Sequence, residues 1–540
     1  MTARRKRVVA VGVGVGIACL LLLGLSLAIS SPAPRLVGRL TPLGIDLAEP
    51  DGLIDTESLG ALPRDVLAVP LFRDVLTEDL VTYYEQHPGR LTLGGILRRL
   101  AWEHDTDLND WAIRTVLDEP AQVALWRGGD GRLRHWLIVI RRNTVTRLMG
   151  TAARLALKDR YLAEVSGGVP AGGSVVPAYA LQRSSRQTLL FAAHGDRLVI
   201  VSDAGMVLDA DGKVSAAARP VLEALLGEAS AGYYHARLGL EPGGPRHRVV
   251  VGARYLSFGY QRFFPAVQAL SFDFGPEGWA TRVRFDRRAL PAGGFEPSAL
   301  WRLAPVAPSA CFALPVDWAA AATLVASLEV DEAAVVSAAG ALAGPAAVCW
   351  YPASRLHTPV FVAPLTRELA PDETIALERL FDIAIGRGDA EAPTAPRVGP
   401  DARFLWQRRV AYRLHRTAPA QAFQATLAQD RRALVFSPDA RLVDDVLGVA
   451  DKRYPAVADV LPAQGTVLAV IAAPSLARLL RTEVAGVPGG NEPAFRTAAA
   501  THLAPRLAAL ERYPSYALVL PASTPAVEWT RVEWVELARP

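Results

Sequence analysis

Four short blocks recur in the same order along the two halves of this chain, and that self-resemblance constrains its architecture more than any other feature. Pro63, Ala68 and Pro70 in LPRDVLAVP return with identical spacing as Pro308, Ala313 and Pro315 in APSACFALP. LDEPAQVALW, ending at Trp126, answers LAGPAAVCW, ending at Trp350. Tyr179 and Leu181 ahead of RLVIVS match Tyr412 and Leu414 ahead of RALVFS, and WATRVRF around Arg282 resembles EWTRVEW around Arg531. Chance supplies one such match; four in register predict two tandem, duplicated halves, 59–290 and 301–540, joined by a Pro/Gly-bearing linker over 291–300.

Within each half the local signals favour strands joined by tight turns. PAQVALWR and LRHWLIVIRR flank GGDG, and TLLFAA and RLVIVSD flank His194, Gly195 and Asp196, so both read as hairpins. LPRDVLAVP reads as a short buried strand, followed by a helix that Thr77 caps and Pro88 ends. Leu93, Ile96, Leu97, Leu100 and Ala101 make the apolar stripe of a second helix. Antiparallel sheets with packed helices give an expected α+β class.

The N-terminus adds a separate expectation. Residues 8–30 carry no charge, and a helix of 22 residues at 1.5 Å per residue spans about 33 Å, enough for the hydrocarbon core. Arg4, Arg5, Lys6 and Arg7 precede this run and Asp46, Glu49, Asp51 and Asp55 follow it. The positive-inside rule then gives a cytoplasmic segment 1–7, a transmembrane anchor 8–30, a linker 31–58 and a periplasmic body, single-pass in a bacterial inner membrane. A cleaved signal peptide is the alternative, disfavoured by the length of the apolar run, and Cys19 sits too early in that run to be a lipidation site. The 58 Lys+Arg exceed the 54 Asp+Glu by the basic cluster alone, so the body is balanced and lacks the basic field of a nucleic-acid binder. Cys311 and Cys349 allow one disulfide or two buried thiols, and no cofactor or zinc spacing is present.

Only one cluster suggests chemistry. Glu103, His104, Asp105 and Asp107 crowd the end of the second expected helix, where carboxylates and an imidazole could exchange protons or hold a divalent ion. Adjacent helical residues point about 100° apart, so Glu103 and His104 do not face one point, and a solvated helix end, with Asp105 or Asp107 capping the next helix, is the plainer account of the cluster. The second half is shorter here and has no counterpart, which would confine any activity to the first half. His194 reads as turn chemistry, and His135 and His357, beside apolar strands, as satisfied core or edge residues. GxSxG, SxxK, HExxH and phosphate-loop patterns are absent. Arg141 with Arg142, Arg183 with Arg186, and Arg246, His247 and Arg248 read as solvated faces, with binding of anionic lipid or protein as the sharper alternative.

LPRDVLAVPLFRDVLTEDLVTYYEQ, then LRRLAWEHD, then LDEPAQVALWR with LRHWLIVIRRN resemble the YfaA-like family of uncharacterised bacterial proteins. The resemblance covers most of the chain beyond the N-terminal run. It implies an envelope accessory protein associated with a bacterial alpha-2-macroglobulin-like protease trap, and it carries no catalytic residues over. Together these readings predict a non-enzymatic, inner-membrane-anchored periplasmic protein that binds a protein partner. The rivals are a periplasmic hydrolase or metal-dependent enzyme using Glu103, His104, Asp105 and Asp107, and a lipid-binding protein with an apolar groove between the halves.

Overall fold

A computed structural model describes residues 41 to 538 apart from 70–118, 142–161, 387–396, 413–420, 486–495, 522–528 and shorter breaks of one to four residues. The chain packs as two units, one holding residues up to 69, 78–256 and 271–279, the other 70–77, 257–270 and 280–540.

The first unit contains β1 (Gly52–Thr56), β2 (Ala121–Arg127), β3 (Leu133–Arg141), β4 (Leu162–Glu164), the small hairpin β5 (Val169–Ala171) and β6 (Ser174–Val176), β7 (Ala178–Ser184), β8 (Gln187–His194), β9 (Arg197–Val201), α1 (Ala218–Leu226), α2 (Ser230–Leu238) and β10 (His247–Gly252). Its sheet runs β10-β1-β2-β3-β9-β8-β7-β4, antiparallel throughout. Alternation assigns one face to the core: Leu53, Ala124, Leu137, Val139, Leu190, Val199 and Val201 are buried, while Ile54, Val123, Ile138 and Ile200 between them are half-buried. The amphipathic helix α1 packs against β9 and buries Val221, Leu222 and Leu225.

The strand β11 (Val267–Gly275) crosses the division between the units. The second unit then holds β12 (Gly278–Phe285), most of it past Trp279, α3 (Ser298–Trp301), β13 (Ala310–Leu314), α4 (Trp318–Ala326), α5 (Glu332–Ala341), β14 (Ala346–Trp350), β15 (Val360–Pro364) and α6 (Pro371–Gly386). It continues with β16 (Arg397–Val398), β17 (Phe404–Tyr412), β18 (Gln421–Gln429), β19 (Ala433–Ser437), α7 (Ala440–Ala450), β20 (Thr466–Ala472), α8 (Ala473–Ala485), α9 (Ala504–Leu510), β21 (Ser515–Leu520) and β22 (Trp529–Glu536). The order is β12-β22-β21-β20-β13-β14-β15-β19-β18-β17-β16, again antiparallel. From β20 onward it repeats the first unit's order strand for strand.

The core of this sheet includes Cys311, Ala347, Cys349, Val360, Val362 and Val435, covered by Trp301 of α3 and by Leu442, Val443 and Val446 of α7. The Trp301 indole donates to the Val467 carbonyl at 3.1 Å, so its one polar atom is satisfied inside the core. Cys311 and Cys349 lie directly opposite on β13 and β14 and form a disulfide.

Three of the recurring blocks occupy equivalent strands: Trp126 and Trp350 on β2 and β14, RLVIVS and RALVFS on β9 and β19, and Tyr179 and Tyr412 on β7 and β17. The fourth pair, β12 and β22, lie side by side. Arg282 pairs with Arg531, and Thr281 and Val283 pair with Val532 and Thr530, so the two Thr-Arg-Val motifs meet about their own centre. The first block departs from expectation. Leu62, Asp65 and Val66 of LPRDVLAVP are helical, and the strand position opposite β13 is taken by β1, inside the stretch read as linker. Ser58 explains the helix: its Oγ accepts from Ala61 N at 2.9 Å and its carbonyl from Leu62 N, the bonding of an N-cap.

The expected class also needs correction. The described residues form mostly antiparallel sheet with few helices, the longest being the 16-residue α6, which carries acidic residues from its first turn. At 1.5 Å per residue such a helix reaches about 24 Å, short of a bilayer core. No helix among the described residues is long and apolar enough to cross a membrane. The anchor read over 8–30 lies outside the described residues, and the α+β fold with an N-terminal transmembrane helix is not what the structure supports. The single-pass inner-membrane placement with a periplasmic body depended on that helix and is not retained.

Candidate functional site

Glu103, His104, Asp105 and Asp107 all lie outside the described residues. Among the described residues no group of three or more His, Cys, Asp or Glu side chains could hold a metal ion. His194 ends β8 beside a turn in which Gly195 takes φ +54, and half-buried His135 sits on β3 opposite Trp126. His357 lies in the β14–β15 turn, where burial against neighbouring groups holds its pKa below the ordinary imidazole value, Glu483 partly opposing this. Arg141 spans 3.3 Å to Asp196 on an exposed face.

Two more of the arginines read as solvated, Arg246 and Arg248, are engaged with less exposed carboxylates. In the first unit, strand β10 turns His247 and Arg248 to opposite sides of the sheet. His247 is fully buried, with Nδ1 2.6 Å from Thr56 Oγ1 and Nε2 2.9 Å from Asp65 Oδ2, and Arg246 reaches the same carboxylate at 2.9 Å. On the other side Arg248 donates to Asp273 at 3.0 Å, an ion pair buried at both ends. His235 of α2 lies 2.7 Å from Asp55. Each imidazole thus has a carboxylate, the pairing a general base requires, yet His247 has no exposed edge for a substrate. What this network does is pin β1, β10, α2 and the helical residues Asp65 and Val66 to one another. Sequence reasoning missed it because the partners are far apart in the chain. The available signal was Asp55 and His247 interrupting otherwise apolar strands.

The second unit presents an open recess of about 670 Å³. Four chain segments build it: α3 and the turn after it, the end of β15, the β18–β19 turn, and the C-terminal end of α7 with the loop that follows. Backbone bonds fix these segments, Val457 N to Ala304 O at 2.8 Å, Val306 N to Pro455 O at 3.2 Å and Leu365 N to Arg432 O at 2.8 Å. The floor is apolar, with Leu303 and Val449 buried and Leu365 half-buried. The rim carries Arg302, Arg432, Lys452 and Arg453 against a single lining carboxylate, Asp459, which accepts from Ala456 N at 2.8 Å.

The acids nearest this rim are already committed. Arg403 donates from Nε to Asp430 at 2.7 Å and from Nη1 to Asp451 at 2.9 Å. Its hydrogen bond to Asp451, then that to Asp430, holds the guanidinium above its ordinary pKa, and Arg403 in turn holds Asp451 below the usual carboxylate range. Arg453 reaches Asp451 at 3.2 Å and lies over the Tyr454 ring. Arg302, Arg432 and Lys452 are exposed and make no ion pair with any described residue. The recess therefore combines an apolar floor with uncompensated positive charge, suited to an acidic ligand that carries apolar groups.

The family model described as "Uncharacterized protein conserved in bacteria (DUF2138)" matches residues 7–534. The chain belongs to this family. It is similar to a protein of Escherichia coli (strain K12) described as "Uncharacterized protein YfaA", with 32% identity over 520 residues, 92% of this chain and 91% of that protein. No solved structure matches the chain. In this DUF2138 member the recess was not visible in sequence, because its four segments lie more than 150 positions apart end to end and no segment alone is unusual.

Proposed function

We propose that this protein is a non-catalytic binding protein whose recess in the second unit receives an acidic segment of a protein partner. The observation that carries the reading is the rim: Arg302, Arg432 and Lys452 stand exposed beside an apolar floor with no ionic partner among the described residues, and the adjacent acids Asp430 and Asp451 are taken by Arg403. Positive charge held open beside apolar surface favours association with a complementary acidic surface and sets its orientation. The resemblance noted from sequence makes a bacterial alpha-2-macroglobulin-like protein the partner to test first.

The test uses the purified full chain and the purified macroglobulin-like protein of the same bacterium, in a surface binding assay at low and at physiological salt. Binding is expected to weaken with salt, because exposed charges are screened within about 8 Å at physiological ionic strength. Arg302→Glu combined with Arg432→Glu is expected to weaken it by about tenfold or more, since two rim charges at roughly 1 kcal/mol each are inverted. Binding indifferent to both salt and charge reversal would refute the recess as the contact.

A further inference from the structure

One rim residue sits where the fold would favour glycine. Helix α7 ends with Asp451 as its C-cap, and the next residue, Lys452, has φ +61, one of two non-glycine residues with positive φ among those described. Lys452 N donates to Val449 O at 2.9 Å and Arg453 N to Gly448 O at 2.8 Å. This is the paired bonding of a Schellman ending, in which the left-handed residue is usually Gly because any Cβ there is strained. Four positions earlier the chain does use glycine. A Cβ on Gly448 would lie 2.4 Å from the Tyr454 ring, so its absence lets that ring lie against the helix end beside the recess.

A strained backbone position occupied by a long cation, with no ionic partner among the described residues, is a feature the helix ending does not require. It gains a purpose at the recess. Lys452 lines it together with Arg302 and Arg432, above Leu303, Leu365 and Val449. We infer that Lys452 is the specificity-determining contact of this recess, and that with Arg302 and Arg432 it seats side-chain carboxylates of a peptide segment that carries both acidic and apolar residues. The inference rests on the partner-binding reading and adds to it the chemistry of the segment. Both residue types follow from the lining: its cations take carboxylates, while its apolar residues take apolar side chains.

The test separates binding from stability. The probe is an end-blocked synthetic peptide of alternating glutamate and leucine, labelled with a fluorophore, titrated against the full chain and followed by anisotropy. A peptide of the same length with glutamine in place of glutamate is the control. Wild type should bind the glutamate peptide and not the control. Lys452→Gly and Lys452→Asn relieve the backbone strain, so both should unfold at higher urea concentration than wild type while binding the peptide about tenfold more weakly, the loss of one charge-assisted contact. Variants that gain stability and keep full affinity would overturn the assignment, as would variants that lose both. Failure of the wild type to bind the glutamate peptide would overturn the acidic-segment inference alone, because the partner-binding reading is decided by the macroglobulin-like protein itself.

Discussion

The Cys311–Cys349 bridge is a covalent constraint in the second unit whose removal can be measured. It joins residues 38 positions apart, enclosing α4 and α5 in the loop between β13 and β14. Closing a loop of that size removes denatured-state entropy worth about 4 kcal/mol at 25 °C in the chain-entropy treatment. Both residues are fully buried among Ala347, Val360 and Val435, so replacement by alanine also leaves unfilled space in that core. Cys311→Ala with Cys349→Ala should therefore lower the unfolding free energy of the second unit by at least about 4 kcal/mol, visible as a large fall in urea midpoint by circular dichroism. Thiol titration in denaturant supplies the independent check. The chain has three cysteines, and one reactive thiol, that of Cys19, is expected before reduction and three after it. Three thiols before reduction, or an alanine pair as stable as oxidised wild type, would refute the reasoning.

Two further substitutions test local arguments. Glu373 at the start of α6 accepts two hydrogen bonds from Arg367, at 2.6 and 2.7 Å, and one from Ala370 N at 2.7 Å, which lowers its pKa from an ordinary 4.5 to about 2. A carboxylate with a depressed folded-state pKa contributes stability that is present above the unfolded value and lost as pH falls through the folded one. Stability should thus decline between pH 4.5 and pH 2, and Glu373→Gln should flatten that part of the urea-midpoint profile. Gly465, with φ +86, has no room for a methyl group: its Cβ would lie 2.4 Å from Val519 Cγ1 and 2.8 Å from the Leu520 carbonyl. Gly465→Ala should cost about 2 to 4 kcal/mol by urea unfolding. Gly131→Ala, at φ +75 in open space, should cost only the left-handed penalty of about 1 to 2 kcal/mol; equal losses would remove the steric argument.

The hairpins were legible because their signals are local. GGDG does turn β2 into β3, with Gly131 at positive φ, and Gly195 and Asp196 turn β8 into β9. Strand β1 escaped notice since Asp55 and Thr56 end its apolar run after two residues, and their reason for being there, His235 and His247, lies far along the chain. LPRDVLAVP satisfied a strand reading by composition, whereas Ser58, outside the block, decided for a helical turn by capping it. The recess was illegible for a related reason. Its charge surplus is a property of which acids Arg403 engages, and that depends on the β18–β19 turn meeting the end of α7.

The strand Gly278–Phe285 precedes the Pro- and Gly-bearing stretch at 291–300, yet it hydrogen-bonds to β22 and receives the Trp534 indole on Thr281 Oγ1 at 2.9 Å. Division of the polypeptide at that stretch would strip the border from the C-terminal piece. Its last strand would then offer a free row of amide and carbonyl groups to any extended chain, and since Thr-Arg-Val can lie against Thr-Arg-Val, the readiest substitute would be the same strand of another molecule.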